Sequence, residues 1–381
     1  MNIIKTLLAV MLCLVMVISP AYASEPKNQQ VGLVQYGESS FLLMVSNEKQ
    51  IEITLYSLSD RRAVLQWTLV QEQSQLVFGF GLFPLPGILR IAHLTKNKLV
   101  MIAESGELIE QIDLAENDEW GNPVFAQNQS AVAFCNQDYR KLLIITAQGV
   151  ETRDLKDSTV DTQSAFLDRE GVVYQNWCDD KIIFSYDQTG ECTSHATGAE
   201  LAFVDELGFW TLERSTLRLP NGSSILLPDP NGQYIVSRNV PNGIILSDVA
   251  ASRPEDPMDW GDDSPVNSLL VSIKDTAYGL WENHDVGDFH YLSVNMKYCL
   301  SEGDWIDDNP PSWDTWSRDS GSTSYSQQHR LLNKDSYIFD RAPVVFDDGR
   351  AVFLGEVDAD ESWQLWCLDL TDGTYSRIEC I

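Results

Sequence analysis

Residues Ala342 to Ile381 read APVVFDDGRAVFLGEVDADESWQLWCLDLTDGTYSRIECI. Four short apolar runs, Pro343–Phe346, Ala351–Val357, Trp363–Leu370 and Tyr375–Ile378, alternate with three polar breaks. The first break is Asp347-Asp348-Gly349, the second 358–362, and the third Thr371-Asp372-Gly373-Thr374. Asp-Gly between apolar runs is a hairpin signal, because glycine accepts the positive φ of a tight turn. The stretch therefore predicts a four-stranded antiparallel meander of about 40 residues, the size of one propeller blade.

The same pattern recurs upstream. Pro123–Phe125 leads into Ala131–Phe134 and then Lys141–Thr146. Ala165–Leu167 leads through Asp168–Gly171 into Val172–Tyr174 and Lys181–Tyr186. Ala202–Val204 leads into Leu207–Leu212, and Asp229–Gly232 into Gln233–Ser237 and Gly243–Asp248. Phe125, Phe166 and Phe203 recur at a period near 40, and several strands per period mean a propeller rather than a sandwich. Gly32–Tyr36, Phe41–Val45, Ile51–Leu58 and Val64–Val70 read as a first unit, with Ile51, Ile53 and Leu55 alternating against Glu52 and Thr54. Leu76–Phe80, Ile88–Ala92, Lys98–Ala103 and Leu108–Leu114 read as a second. Val266–Ile273, Ala277–Glu282, Phe289–Val294 and Lys297–Leu300 read as a late one. The expected fold is all-β, a single β-propeller of seven or eight four-stranded blades spanning 24–381. Residues 301–341, polar and turn-rich, read as a long loop or insertion.

The last unit resembles the repeats of TolB-type, WD-repeat-like propellers. The likeness rests on the run Phe346–Phe353, an aromatic followed by an acidic Gly turn and an apolar strand. It rests also on Trp363–Gly373, a strand ending in Asp369-Leu370-Thr371-Asp372-Gly373. It is partial at 123–155, 163–190 and 229–249. The resemblance implies a propeller that binds proteins or ligands and implies no chemistry, since one fold hosts many functions. Ser317–Thr323 is similar to the Asp-box turn of sialidase-type propellers, with Ser324 where that box has an aromatic, and it occurs in one copy.

Residues 1–23 read as a secretory signal: Lys5, an apolar run from Leu7 to Ile18, then Ala21-Tyr22-Ala23 before the expected cleavage. The apolar run is short for a bilayer span of about 20 residues, and no second run is longer. The expectation is an extracytoplasmic protein, secreted or periplasmic, with no membrane span in the mature chain. A net charge of −30 repels nucleic acid and anionic membrane. Beyond the signal lie Cys135, Cys178, Cys192, Cys299, Cys367 and Cys380, an even set that suggests disulfides in an exported protein. Cys367 and Cys380 flank the Asp372-Gly373 turn and are the candidate pair. No Cys-x-x-Cys spacing supports a zinc ribbon.

Phosphate loops, nucleotide fingerprints and the Gly-x-Ser-x-Gly elbow are absent. His284, Asp285, Asp288 and His290 stand where a metal or a plain turn would explain them equally well. Trp305, Trp313 and Trp316 beside carboxylates are candidate sugar-stacking residues. Asp304, Asp307 and Asp308 are candidate hard-oxygen ligands for calcium, although their spacing follows no regular calcium loop. Two functions follow: a non-enzymatic binding or scaffold module for a protein or glycan, or a carbohydrate-active enzyme using paired acids on a propeller face. If calcium shields the three aspartates, millimolar calcium raises the melting temperature over chelator at matched ionic strength. Changing Asp307 and Asp308 together to Asn removes the difference. Superimposable melting curves for the unmodified protein would dismiss the calcium site.

Overall fold

The computed structural model describes residues 30–381 apart from several segments, the longest being 249–267, 304–312, 318–325 and 332–342. Its strands form eight antiparallel sheets in chain order, seven of four strands and one of five. They are the eight blades of a β-propeller: 30–72, 82–113, 120–154, 165–196, 200–226, 234–281, 286–331 and 344–377. The strands of each blade are called A to D in chain order. A strands of neighbouring blades touch one another, so they line the centre. D strands lie outside, as the largely exposed Leu108–Asp113 of blade 2 illustrates.

Among the described residues six of the eight blades are apolar on both faces, and alternation along the strands achieves this. In blade 3, Val132 and Phe134 of the B strand pair with Ile145 and Leu143 of the C strand. These four pack against Phe83, Leu85, Leu94 and Met101 of blade 2. The intervening Ala133, Cys135, Leu142 and Ile144 pack on Ala165, Leu167 and Val173 of blade 4. A period of two thus sends successive side chains to opposite neighbours. Among the described residues, buried clusters of this kind join seven of the eight neighbouring blade pairs, all but blades 6 and 7.

The deciding stretch folds as the sequence predicts. Its strands are Val344–Val345, Arg350–Val357, Ser362–Asp369 and Tyr375–Arg377. Gly349 has φ +88° in the Asp347-Asp348-Gly349 turn, and a Cβ there would come within 3.0 Å of the Tyr298 ring. The other Asp and Asn breaks also act as turns. Carboxylate or amide oxygens of Asn47, Asp168, Asp187, Asp205, Asp229, Asp369 and Asp372 accept backbone N–H groups two residues on. Six of the 56 acidic residues thus serve as turn formers.

The late units need correction. Strands Ser268–Ser272 and Ala277–Trp281 complete blade 6, whereas Val286–Leu292 and Tyr298–Gly303 begin blade 7. Trp313–Ser317 and Ser326–Leu331 are the C and D strands of blade 7, so within 301–341 these two described segments belong to a blade. Polar residues hid them: Asp314 and Thr315, both fully buried, sit mid-strand. In blade 2 the A strand is Leu82–Leu85, later than the expected 76–80. The signal region 1–23 lies outside the described residues.

Ring closure uses a strand beyond blade 8. Glu379–Cys380 leaves that blade and pairs in parallel with the D strand of blade 1, Glu379 beside Arg62 and Cys380 beside Ala63. The Ile381 N–H donates to the Ala63 carbonyl at 3.0 Å, and the Leu65 N–H donates to the Ile381 carbonyl at 2.9 Å. Just before this strand, Ile378 is buried in the cluster that joins blades 8 and 1, with Phe41, Phe346, Val352 and Leu365. Between blades 1 and 2, the fully buried His93 donates Nδ1–H to the Gln71 side-chain oxygen at 2.7 Å. Burial pulls the His93 pKa down to about 4. This lies below the unfolded value, so its stabilising contribution is full at neutral pH and is lost as pH falls from about 6.5 towards 4.

Closure is testable at single residues. Ile378→Ala should cost about 2–5 kcal/mol in denaturant melts, the range for a buried aliphatic truncation. Glu379→Ala removes only an exposed 3.4 Å ion pair with Arg62 and should cost under about 1 kcal/mol. Equal effects of the two would contradict closure through the apolar seam.

Candidate functional site

In antiparallel blades the A–B and C–D turns fall at one end of the strands and the B–C turns at the other. The A–B turns of blades 2 to 5 converge on an open cleft of about 720 Å³. Blade 2 contributes Gly87 and Ile88 from a short 3-10 turn, Pro86–Ile88. Blade 3 contributes Ser130, with Ala147 and Gln148 from its C–D turn. Blade 4 contributes Asp168, Arg169, Glu170 and Tyr174, and blade 5 contributes Val204 to Gly208.

The blade 4 turn is held rigidly. Asp168 Oδ1 accepts the N–H groups of Glu170 at 2.9 Å and Val172 at 2.8 Å. Gly171 has φ +86°, and a Cβ there would lie 3.1 Å from Ile144 Cγ2. Its carbonyl accepts Nη1 of Arg153 at 2.8 Å, and Arg153 is itself only 4 % exposed, between blades 3 and 4. The Tyr174 hydroxyl reaches Asp168 Oδ2 at 3.4 Å. Burial pushes the Asp168 carboxyl up, and the Glu170 charge adds to this, although backbone donors oppose it. Burial, then the neighbouring Asp168 charge, pushes the Tyr174 phenol up to about 12, so it stays a proton donor.

The blade 5 turn repeats this scheme with a different outcome. Asp205 Oδ1 accepts the N–H groups of Leu207 at 2.7 Å and Gly208 at 3.1 Å, and Oδ2 accepts the indole N–H of buried Trp210 at 2.7 Å. The Asp205 carboxylate is committed to structure. Arg169 bridges the two turns, its Nη1 3.0 Å from Glu206 Oε1. Both side chains are more than half exposed, and such a pair contributes little stability. Leu207 stands at the lip with 75 % of its surface in water.

The same end of the propeller is acidic at the closure seam. Asp347 accepts the Asn295 N–H at 2.8 Å. Burial raises its carboxyl pKa, with smaller contributions from the charges of Glu38 and Asp348.

The residues singled out in the sequence do not converge here. Asp304, Trp305, Asp307 and Asp308 lie outside the described residues, as do His284, Asp285 and 318–325 of the Asp-box-like run. Asp288 and His290 fall on the strand Val286–Leu292, but their own side chains are not described. Trp313 is 2 % exposed and packs with Tyr291, Phe353 and Leu368, so it offers no stacking face to solvent. Trp316 is half-buried on the same strand. Cys367 is buried at the blade 8–1 seam, whereas Cys380 is a free, exposed thiol on the closing strand. The expected bridge between them is not formed, because the chain departs from blade 8 to blade 1 before reaching Cys380. Among the described residues no group of three or more His, Cys, Asp or Glu converges to hold a metal ion. Sequence reading took Asp168 and Asp205 only as turn formers. One signal was available: each ends an A strand and is followed five or six residues later by an aromatic, Tyr174 or Trp210.

No family model and no curated protein sequence matches the chain. Solved structures do. The uncharacterized protein lmo1340 from Listeria monocytogenes EGD-e is 10% identical, with 93% of this chain and 96% of that one covered and a TM-score of 0.50. AztD from Citrobacter koseri is 13% identical over 90% of this chain and 95% of that one, with a TM-score of 0.47. TolB from Acinetobacter baumannii is 11% identical over 91% and 78%, with a TM-score of 0.33. At these identities the likeness is one of fold, the β-propeller. No helix among the described residues is long and apolar enough to cross a membrane.

The raised Asp168 pKa carries a sign. A carboxyl whose folded pKa exceeds its unfolded value favours folding only while protonated, and that advantage is lost as pH rises through the folded pKa. Asp168→Asn keeps the Oδ1 acceptor and removes the charge. It should raise the melting temperature at pH 7.5, with the gain fading as pH drops to about 4, where aspartate normally protonates. A lowered melting temperature at pH 7.5 would contradict the burial penalty.

Proposed function

We propose that the protein is an exported, non-enzymatic binding module of the TolB-like propeller kind that takes a protein or glycan partner on its A–B turn face. The observation that carries this reading is the cleft itself. It is concave and built from four blades, and its central turn is pinned by Asp168, Gly171 and Arg153. A pre-formed cleft with few polar groups in fixed positions is the usual form of a recognition site. Export rests on the signal-like residues 1–23.

One observation favours the second reading, an enzyme acting on carbohydrate. Asp168 holds its proton more firmly than an ordinary carboxyl and lies beside Glu170, and glycoside hydrolysis needs one protonated and one ionised acid.

A single filling substitution tests both readings. Gln148 is exposed at the cleft margin, so Gln148→Trp narrows the cleft without entering the core. On a panel of immobilised glycans and peptides, the unmodified protein should retain at least one ligand that the variant holds roughly tenfold more weakly. No reducing ends should be released. Equal retention by the two proteins would reject the cleft as the binding face, and release of reducing ends would establish the enzyme reading.

A further inference from the structure

The polar lining of the cleft is unbalanced. Four carboxylates, those of Asp168, Glu170, Asp205 and Glu206, face one cationic side chain, Arg169. Arg169 is bonded to Glu206, and Asp205 is occupied by three N–H donors. Asp168 and Glu170 remain, and Asp168 Oδ2 meets only the long contact to the Tyr174 phenol. The same lining is mixed: beside polar Ser130 and Gln148 it carries apolar Ile88, Val204 and the exposed Leu207.

We propose that this cleft takes an alkylammonium ligand, a protonated amine on an aliphatic stem, with the head on Asp168 and Glu170 and the stem along Ile88 and Leu207. The inference deepens the proposed function and rests on it. The ligand's charge offsets the cost of holding Asp168 ionised beside Glu170 in a partly dry site. Ammonium against carboxylate gives charge-assisted hydrogen bonds, and the Tyr174 ring lies within the same lining. The stem explains an apolar lip that a purely polar ligand would leave unused. The field of a chain at −30 draws cations towards it. An anionic ligand would meet two uncompensated carboxylates. A neutral sugar would bond them but leave their mutual repulsion in place. The chemistry has two sources, a free polyamine or a lysine side chain on a polypeptide.

Calorimetric titration of the full protein separates these cases. The probes are spermidine, an acetylated and amidated Gly-Lys-Gly peptide, and the neutral trisaccharide cellotriose. Spermidine or the peptide should bind at pH 7.5, and whichever binds more tightly identifies the source. Glu170→Gln and Asp168→Asn should each weaken binding roughly tenfold. Glu110→Gln, an equal charge change on the exposed D strand of blade 2, should leave it unchanged. The charged and titratable groups that share the cleft lining with Asp168 are Glu170, Tyr174, Arg169, Asp205 and Glu206, and protonating carboxylates removes the charge that holds an ammonium. Affinity should therefore fall as pH drops from 7.5 to 4.5, with proton release on binding. Cation binding weakened equally by Glu110→Gln would mean diffuse charge attraction and overturn the proposal. So would the absence of cation binding. Cellotriose binding that Gln148→Trp abolishes would overturn the alkylammonium ligand while leaving the cleft as the binding face. Failure of every panel member to discriminate Gln148→Trp would remove the binding face as well.

Discussion

Among the described residues six of the eight blades are apolar on both faces, and neither face can be left in water. That constraint governs the rest of the architecture. A sheet with one wet face needs a single partner layer, but a sheet that buries Phe134 on one side and Cys135 on the other needs two. Continued from blade to blade, the requirement ends only when the last sheet covers the first. The seam between blades 8 and 1 is built like the others, with Phe41 and Phe346 ring centroids 6.5 Å apart. Closing the ring removes the last uncovered face, and the parallel strand Glu379–Cys380 then caps part of an outer edge.

The turns at each end of the blades are free of this packing requirement, so chemistry can vary there. At the A–B end, one device recurs with different results. Asp168 and Asp205 both cap their turns through Oδ1. In blade 5 the second oxygen is committed to the Trp210 indole, and in blade 4 it is left to a distant phenol. The second oxygen of the same turn residue is thus held tightly or loosely according to its aromatic neighbour. Concave sites over a rigid scaffold commonly arise this way, from loops whose backbone is held by the elements beneath.

The fold was legible where strands alternate apolar and polar residues and breaks carry Asp-Gly or Asn. Blades 1, 3, 4 and 8 meet both conditions. Blade 7 fails the first: its C strand reads Trp313-Asp314-Thr315-Trp316-Ser317, and a buried aspartate looks like a loop when only composition is read. The tryptophans there suggested a sugar platform, yet Trp313 spends its surface on the neighbouring blade. The cleft was not legible because its parts come from four periods of the repeat. Asp168, Glu206, Gln148 and Ile88 are brought together only because the A–B and C–D turns of successive blades point the same way, which no local window of sequence contains.

The closing strand also sets a long wait in folding. The D strand of blade 1 ends at Glu72, and its partner begins at Glu379. Contacts so distant in sequence form late, because the intervening chain must first be brought together. Until then the first residues of that outer strand, Arg62 to Leu65, present an uncovered backbone edge. The tail of a second copy offers the same hydrogen bonds as the chain's own tail, so concentration during folding decides between a closed monomer and exchanged pairs.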